Sequence, residues 1–358
     1  MGGAERVAVS LSNWLANKKN DIGIISMDCN KSSYEVNSNV QLYINVNKLE
    51  KGRFKGFLQR YKYVSKILSD SKPDVIFSVF YTCAIIPIIY KIIHHNKKIC
   101  IISSERCNPN SPDRKKNRKL MYNAIVKLCD GFIFQTERVK SLYSKDIQKK
   151  GVVIYNPISN PLLEKIKYIP VSNKEKTISS MGRLENQKAF DILIKAFKLV
   201  IMKHPDYRLF IYGEGSERIK LEKLIDEFNL NNKVILYGNC SNALIEISKS
   251  RVFILSSRYE GMPNSLLEAM GAGVACISTN CEFGPAEIID DGKNGFLVPV
   301  NDYKTIAEKI NYLLDNESII EKIGLKAKNI KNIHSLNNCF SKYEQYFKSF
   351  IIKRSKKE

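Results

Sequence analysis

The chain has 358 residues, of which 44% are hydrophobic and 26% are charged. This length suits two globular domains, and the balance of residue types excludes a disordered or fibrous protein. The net charge of +21 indicates an anionic partner such as nucleic acid, anionic lipid or a phosphorylated substrate. A bias toward lysine that serves no binding purpose would give the same charge. The charge alone therefore does not distinguish among these partners or show that there is one.

Strand-length apolar runs alternate with segments of helical period along the whole chain. A helix is predicted over ERVAVSLSNWLANKK, and the predicted strands follow in chain order: IGIIS, DVIFSVF, KKICIISS, GFIFQT, GVVIYNP, KTISSM, YRLFIYG, KVILYG, VFILSS, VACIST and FLVP. This alternation predicts right-handed crossovers and two doubly wound α/β domains with parallel sheets.

The domain boundary is expected near the X-Pro turns of IYNPISNP, which end a strand. We therefore expect domains over residues 1–160 and 161–338. The aromatic-rich helix 339–354 is expected to pack back on the first domain.

The cysteines and the apolar runs limit the class of protein. The nine cysteines are scattered, with no Cys-x-x-Cys pair, which predicts a reduced, cytosolic protein without a metal site. The most apolar run, residues 75–90, contains Pro87 and is shorter than the ~20 residues that span a bilayer. We expect a buried strand followed by a helix there.

The loop after the predicted strand VFILSS carries the strongest signal, SSRYEGMPNSLLEAMGAGV. Ligands of open parallel sheets bind beyond the carboxyl ends of the strands. Pro263 suits the first turn of a helix, whose N–H groups at Asn264 and Ser265, with Gly261 and Met262 just before them, form an anion site.

Two carboxylates flank this predicted phosphate position. Glu260 precedes the helix, and Glu268 lies five residues beyond Pro263, roughly 7 to 8 Å along the axis. A carboxylate accepts two hydrogen bonds from a vicinal diol, so the pair suits a sugar ring on one side and a ribose on the other. An ordinary amphipathic helix with two glutamates is the alternative.

The loop GRLENQKAF adds two cations near the start of the next predicted helix. Gly182 allows a tight turn, while Arg183 and Lys188 are placed to neutralise a pyrophosphate without a metal. A solvated basic loop is the alternative.

Four segments together resemble the nucleotide-sugar domain of retaining glycosyltransferases of family 4: GRL…QKAFDILIKAF, YRLFIYGEGSER, EGMPNSLLEAMGAGVACIST and GPAEIIDDGKNGFLVPVND. GGAER, ISSER and IYNP extend the resemblance into the first half. It implies the GT-B fold, with two Rossmann-like domains facing a cleft. The first domain would bind the acceptor and the second the nucleotide sugar.

The resemblance implies a role for each candidate residue. Arg183 and Lys188 would hold the donor diphosphate, Glu268 the ribose and Glu260 the transferred sugar. The further donor-side residues would be Gly182, Gly213, Gly261, Met262, Pro263, Asn264 and Ser265, and the acceptor-side residues would be Gly2, Gly3, Glu105 and Arg106.

The role of Arg106 stays open at this stage. Many relatives have a histidine in that region, where this chain has SSERCNPN. Arg106 either binds an acceptor phosphate or forms a structural ion pair with Glu105 or another neighbour.

The implied reaction transfers a hexosyl or N-acetylhexosaminyl unit, with retention, from a UDP-sugar to a hydroxyl of a lipid-linked or polysaccharide acceptor. No cofactor and no essential metal are expected, because the sequence has no Asp-x-Asp motif. The alternatives are a GT-B enzyme with a soluble sugar acceptor, or a basic scaffold or nucleic-acid-binding protein without catalysis. No nucleic-acid recognition motif supports the last of these.

Two basic stretches of the first half suggest a membrane partner. Residues 51–66 carry six basic residues, no acid, and the apolar residues Phe54, Phe57 and Leu58, and residues 114–119 add five more cations. Docking on the anionic inner face of the plasma membrane is expected, with a solvated basic face as the alternative.

The chain opens MGGAERV, and the resembled family has a hydrophobic strand before this glycine loop. The first strand here, IGIIS, corresponds to the second of the family, so the first domain is expected to lack its first strand. We expect an N-terminally shortened form in which Gly2 and Gly3 are the remnant of a cleft loop. The alternative is that another segment fills the slot.

Overall fold

The computed structural model describes residues 3–26, 34–44, 53–106 and 116–355. The chain divides into two compact units. The first unit contains Met1–Ser159 and Leu336–Glu358, and the second contains Asn160–Ser335.

Strands and helices alternate along both units. The strands are β1 (Ile22–Ser26), β2 (Val40–Ile44), β3 (Val75–Ser78), β4 (Cys100–Glu105), β5 (Gly131–Phe134), β6 (Gly151–Val153), β7 (Glu175–Met181), β8 (Arg208–Tyr212), β9 (Val234–Gly238), β10 (Ser250–Leu255), β11 (Ala275–Thr279) and β12 (Phe296–Val298). The helices are α1 (Gly3–Asn17), α2 (Arg53–Ser71), α3 (Ile85–Ile93), α4 (Lys116–Leu128), α5 (Glu137–Ser141), α6 (Lys145–Lys149), α7 (Leu162–Lys165), α8 (Phe190–Lys203), α9 (Arg218–Glu227), α10 (Ala243–Lys249), α11 (Asn264–Gly271), α12 (Pro285–Ile288), α13 (Tyr303–Leu314), α14 (Glu317–Ala327), α15 (Ile330–Ile333) and α16 (Leu336–Ser355).

The first unit is a three-layer α/β structure. Its four-stranded parallel sheet has the order β3-β4-β5-β6. Successive residues of a strand point to opposite faces, so Ile101 packs with α2, α3 and α4 while Ile102 packs with α1 and α16. Because helices cover both faces, every residue of β4 is buried.

A separate two-stranded parallel sheet contains β1 and β2. No strand of the described residues joins it to the four-stranded sheet. Strand β2 has no counterpart among the strands predicted from the sequence. Only Val40 of its five residues VQLYI is buried, although four of the five are apolar.

Helix α16 packs on the first unit through its aromatic side chains. Phe340 and Tyr343 are completely buried in the cluster that also contains Phe77 and Ile133. The ring centroids of Tyr343 and Phe77 are 5.7 Å apart. Aromatic burial therefore holds this C-terminal helix on the sheet of the first unit.

The second unit contains a six-stranded parallel sheet with the order β12-β11-β10-β7-β8-β9. The strand order reverses between β7 and β10, which are neighbours in the sheet. Such a switch point is where open α/β sheets bind their ligands, because the loops after the two strands diverge there.

Candidate functional site

The loops that follow β7 and β10 lie side by side at the switch point of the second unit. The first loop runs from Gly182 to Lys188 and the second from Ser256 to Pro263. Together they contain most of the donor-side residues predicted from the sequence.

Several hydrogen bonds join these two loops. The Gln187 side chain donates to the Tyr259 carbonyl at 2.9 Å, and the Arg258 N–H donates to the Gln187 carbonyl at 2.8 Å. The Ser256 hydroxyl donates to the Lys188 carbonyl at 2.8 Å. The two loops therefore form one fixed surface.

Lys188 and Glu260 form an ion pair at this surface. Their Nζ and Oε1 atoms are 2.6 Å apart, and the side chains are only 14% and 7% exposed. The Ser257 hydroxyl donates a second hydrogen bond of 2.6 Å to the same Oε1. Burying a charged group to this extent is strongly unfavourable unless such partners compensate it.

Gly182 makes room for the lysine. A Cβ atom at position 182 would lie 2.8 Å from the Cε of Lys188. Lys188 ends a 3-10 turn and is followed by Ala189, which has a left-handed backbone (φ 50°, ψ 43°) and directly precedes α8. The direction of the Lys188 side chain is therefore set by the backbone on both sides.

Arg183 differs from Lys188 in its surroundings. It is exposed, and among the described residues its guanidinium makes no hydrogen bond or ion pair. Of the two cations predicted to bind phosphate, Arg183 is therefore exposed, whereas Lys188 is buried and paired.

The loop after β8 fixes the loop after β7 from the other side. Gly213 has φ 139°, and a Cβ atom there would lie 2.0 Å from the Gly182 carbonyl oxygen. The Leu184 N–H donates to the Glu214 carbonyl at 2.9 Å. Only glycine permits this approach of the two backbones.

Helix α11 begins one residue later than its predicted first-turn proline, because Pro263 is the residue before the helix. As in every α-helix, the N–H groups of its first turn have no acceptor within the helix itself. Gly284, with φ 93°, lies in the loop after β11. A Cβ atom there would be 2.3 Å from the Gly261 carbonyl oxygen, so this loop supports the start of α11.

Glu268 lies inside α11 and is 2% exposed. The Asn160 side chain donates to its Oε2 at 3.1 Å and accepts from the Leu162 N–H at 3.1 Å. Asn160 thus orients the Glu268 carboxylate. No sequence pattern indicated this contact, since 108 positions separate the two residues.

Cys281 also lies near Glu260. Its thiol donates to the Ser257 carbonyl at 3.1 Å. Burial raises the pKa of Cys281 to about 11, and the charge of Glu260 acts in the same direction. The thiol is therefore protonated near neutral pH and acts as a packing and hydrogen-bonding group.

The predicted acceptor-side residues belong to the first unit. Gly2 lies outside the described residues. Gly3 is the first residue of α1 and not part of a glycine loop, which corrects the expectation for this position. Glu105 ends β4, is 3% exposed, and accepts a hydrogen bond of 3.2 Å from the Tyr143 hydroxyl.

Arg106 follows β4 and is 9% exposed. Its guanidinium donates to the Ser104 hydroxyl (3.2 Å), the Asn156 side-chain oxygen (3.2 Å) and the Tyr343 hydroxyl (2.9 Å). All three acceptors are neutral, and within the described residues Arg106 does not form the ion pair with Glu105 that was the structural alternative. Arg106 instead ties α16 to the end of β4, and its binding of an acceptor phosphate stays a prediction.

Two features of the described part of the chain concern metals and membranes. No three His, Cys, Asp or Glu side chains there come together in a way that could hold a metal ion. Of its helices, none has both the length and the apolar character needed to cross a bilayer.

Comparison with known proteins identifies the class. Residues 164–330 match the family model described as glycosyl transferases group 1, and residues 1–160 match the model of glycosyltransferase family 4. An uncharacterized glycosyltransferase of Haemophilus influenzae is 26% identical over 344 residues, which are 96% of this chain and 95% of that protein.

Two further relatives cover nearly the whole chain. A Campylobacter jejuni enzyme, an α-1,4-N-acetylgalactosaminyltransferase that acts on a diphospho-undecaprenol-linked glycan, is 27% identical over 91% of this chain and 89% of its own. The structure of Anabaena HepE in complex with UDP has a TM-score of 0.75 at 16% identity and covers 97% of this chain and 96% of that one.

The two Rossmann-like units and the switch-point site define a GT-B glycosyltransferase. More narrowly, the chain belongs to family 4, whose members are retaining enzymes that transfer a sugar from a nucleotide sugar.

Proposed function

We propose that the enzyme transfers a hexosyl or N-acetylhexosaminyl unit from a UDP-sugar to a hydroxyl of a lipid-linked or polysaccharide acceptor in surface glycan synthesis. The main observation that supports a donor site in the second unit is the buried Lys188–Glu260 ion pair at the switch point. The UDP bound to HepE and the lipid-linked substrate in the name of the Campylobacter relative support the choice of donor and acceptor.

We assign the donor diphosphate to Arg183, Lys188 and the first turn of α11. Negative charge develops on the departing diphosphate as the bond to the sugar breaks. Cations and N–H dipoles that are already in place stabilise this charge without reorganising. Gly182 and Gly213 let the backbone approach the phosphates closely, and residues 261–265 supply the N–H groups.

We assign the two carboxylates to the hydroxyls on either side of the diphosphate. Glu268, oriented by Asn160, would bind the ribose, and Glu260 would bind the transferred sugar. Because Lys188 and Ser257 already contact one oxygen of Glu260, its carboxylate is held in one orientation when the sugar arrives. This is the preorganisation that a retaining transfer needs.

On the acceptor side, we propose that the first unit binds the growing glycan, with Glu105 and Arg106 at the carboxyl end of β4. We further propose that the enzyme is peripheral on the anionic inner face of the plasma membrane, in the cytoplasm, and that nucleic acid is not its partner. Of the predicted basic stretches, Lys51 and residues 114–115 lie outside the described residues, while Lys55, Lys62 and Lys66 are exposed on α2.

A panel of nucleotide sugars, incubated with the enzyme and membrane extract, tests this function. We expect transfer from a UDP-sugar into an extractable glycolipid or polysaccharide, with retention at the anomeric carbon by NMR. Glu268→Gln should raise the KM for the donor more than tenfold. The matched variant Glu222→Gln, on the exposed face of α9, should behave as wild type.

Three results would contradict the proposal. Transfer only to a free sugar would favour the soluble-acceptor alternative. A preference for a donor without uridine, or a wild-type KM for Glu268→Gln, would remove the donor assignment.

A further inference from the structure

The amino edge of the four-stranded sheet in the first unit carries exposed aliphatic side chains. Helices in such units run antiparallel to the strands, so their carboxyl ends gather at the edge where the strands begin. The exposed aliphatic residues at this edge are Ile92 (57%), Ile93 (56%), Leu128 (54%), Ile351 (39%) and Ile352 (53%). They lie at or near the ends of α3, α4 and α16.

Polar contacts bring the ends of α3 and α4 together. Lys91, in the last turn of α3, forms an ion pair of 2.7 Å with Asp130, two residues after α4. Lys150, just before β6, donates to the carbonyls of Lys127 (2.9 Å) and Cys129 (2.6 Å). These bonds join the ends of α3 and α4 to the start of β6.

Helix α16 reaches the same edge. The Tyr346 hydroxyl accepts from the Phe132 N–H at 3.0 Å and is also bonded to the Lys150 carbonyl. A Cβ atom on Gly131 would lie 2.7 Å from the ring of Phe350, so α16 passes directly over the start of β5. The following residues of α16 therefore extend along this edge.

We call this surface the amino-edge face and define it by its five aliphatic residues and the cations among them. The cations are Lys91, Lys97, Lys98, Lys127, Lys149, Lys150, Lys353 and Arg354, and the acids in the same region are Asp74, Asp130 and Asp146. Asp130 is already paired with Lys91. The face is thus strongly basic as well as apolar.

We propose that the amino-edge face docks on an anionic lipid bilayer. Lysine and arginine near an anionic surface are attracted to it, and their alkyl stems lie along apolar groups while the charges stay at the headgroups. Aliphatic side chains stabilise binding only where they leave water, as at the boundary between lipid headgroups and acyl chains. A soluble polyanion offers no such environment, and this favours lipid.

This proposal rests on the proposed function, since it gives the anionic membrane named there a specific surface. It also restricts the acceptor. The six residues of β4 span about 20 Å, and Glu105 and Arg106 lie at the far end of that strand. An acceptor hydroxyl at that end must extend about this far from the lipid, which suits a lipid-linked glycan of several sugars.

Vesicle cosedimentation without nucleotide sugar or acceptor tests the surface. Wild type should bind phosphatidylglycerol-containing vesicles, less so at high salt, and should not bind pure phosphatidylcholine. Ile92→Ser/Ile93→Ser and Lys97→Glu/Lys98→Glu should each weaken binding at least tenfold. The matched variant Met202→Ser/Ile219→Ser, exposed on the second unit, should bind as wild type.

The same assay compares the amino-edge face with α2. Lys55→Glu/Lys62→Glu should reduce binding less than the amino-edge variants do. Wild-type binding by both amino-edge variants, or loss only with the α2 variant, would overturn the proposal. The proposal would also fail if Lys97→Glu/Lys98→Glu lost vesicle binding while Ile92→Ser/Ile93→Ser bound as wild type. That result would mean that the partner is recognised by its negative charge alone.

UDP binding, measured on each variant, separates this proposal from the proposed function and shows that the variants are folded. We expect it to be unchanged in all of them. Vesicle binding by an enzyme that transfers no sugar would contradict the proposed function and leave the docking surface standing. Sugar transfer by an enzyme that does not bind vesicles would contradict the docking surface and leave the proposed function standing.

Discussion

Lys188 and Glu260 stabilise each other in a place almost closed to solvent. Removal of one partner from a buried ion pair leaves the other charge without compensation and typically destabilises a protein by several kcal/mol. Lys188 therefore has two tasks in the proposed mechanism. It neutralises Glu260 in the folded protein, and it is placed to meet the charge of the donor diphosphate.

We predict that Lys188→Met lowers turnover more than tenfold and lowers the free energy of unfolding by about 3 kcal/mol. Adding Glu260→Gln should restore most of the stability but not the turnover, because the uncompensated charge is gone while the phosphate cation is still missing. Urea denaturation and donor turnover measure the two effects.

The control for this pair is Lys176→Met. The partner of Lys176 is Asp206, and both side chains are more than half exposed, so the change should alter stability by less than about 1 kcal/mol. Wild-type turnover of Lys188→Met, or a double variant as unstable as the single one, would contradict the dual role.

Lys174 is a buried lysine in the second unit. It is 6% exposed and donates to the carbonyls of Ser250 (3.2 Å) and Gly273 (3.5 Å). Burial lowers the pKa of Lys174 from 10.5 to about 8, although the nearby groups Cys276 and Glu321 act in the opposite direction. The effect of burial on the pKa is larger than that of Cys276 and Glu321, since the carbonyl dipoles only partly replace the hydration that the ammonium group loses.

We predict that Lys174 makes the enzyme more stable as the pH rises from about 8 to 10.5. In this range the unfolded state still binds the lysine proton and the folded state has released it, so the free energy of unfolding increases with pH. The increase is on the order of 3 kcal/mol. Denaturation of wild type and Lys174→Met at about pH 7.5 and 9.5 should detect about 2 kcal/mol of this increase.

Comparison with Lys174→Met removes the contribution of the tyrosines and cysteines that titrate in both proteins. The free energy of unfolding of wild type should therefore rise relative to that of Lys174→Met as the pH rises. A difference that stays constant over this range would mean that Lys174 keeps its ordinary pKa in the fold.

At the level of elements, the site depends on loops that pack backbone against backbone. The loop after β8 contacts the loop after β7 at Gly213 and Gly182, and the loop after β11 contacts the start of α11 at Gly284 and Gly261. Strand order brings these loops to one edge, and glycine lets them approach. The positions of the proposed phosphate-binding groups therefore depend on glycines that do not themselves carry charge.

Gly213→Ala should lower the free energy of unfolding by more than about 2 kcal/mol and weaken UDP binding, because the new methyl group would collide with the Gly182 carbonyl. Gly292→Ala is the matched control. Its φ is also positive, at 72°, but the nearest atom to a Cβ there is 4.0 Å away.

For Gly292→Ala we expect only the cost of the left-handed backbone, about 1 kcal/mol, with unchanged UDP binding. Calorimetric titration with UDP and chemical denaturation compare the two variants. Equal effects of the two substitutions would show that the close approach at Gly213 is unimportant.

At the scale of the whole molecule, the proposed mechanism uses side chains and a helix terminus to stabilise the negative charge of the donor diphosphate. Turnover should therefore survive excess EDTA within about twofold, since Arg183, Lys188 and α11 take the place of a divalent ion. The measurement is the transfer rate before and after chelation. Loss of activity that Mg²⁺ or Mn²⁺ restores would contradict this prediction.

Docking through the amino-edge face predicts a dependence on acceptor length. On vesicles, a lipid-linked glycan of several sugars should be a better acceptor than a lipid-linked monosaccharide, because only the longer one spans the strand length of about 20 Å. In detergent the difference should largely disappear, since the acceptor is no longer held in a plane. Equal rates on vesicles would contradict the proposed orientation.

The sequence by itself determined the alternation of strands and helices, the family, and the order of the candidate residues. It also predicted that Glu260 and Glu268 flank the start of one helix, because helical geometry fixes the spacing of residues close in the chain. It failed at β2, a strand of only five residues of which one is buried, and at Gly3, which begins α1 and is not part of a loop.

The tertiary structure alone decided which distant groups meet. Lys188 and Glu260 are 72 positions apart, and Asn160 and Glu268 are 108 apart. Strand order and register in the parallel sheets determine such contacts, and no local pattern encodes them. The neutral partners of Arg106 and the gathering of aliphatic residues on the amino-edge face have the same origin, because packing joins helix ends that lie far apart in the chain.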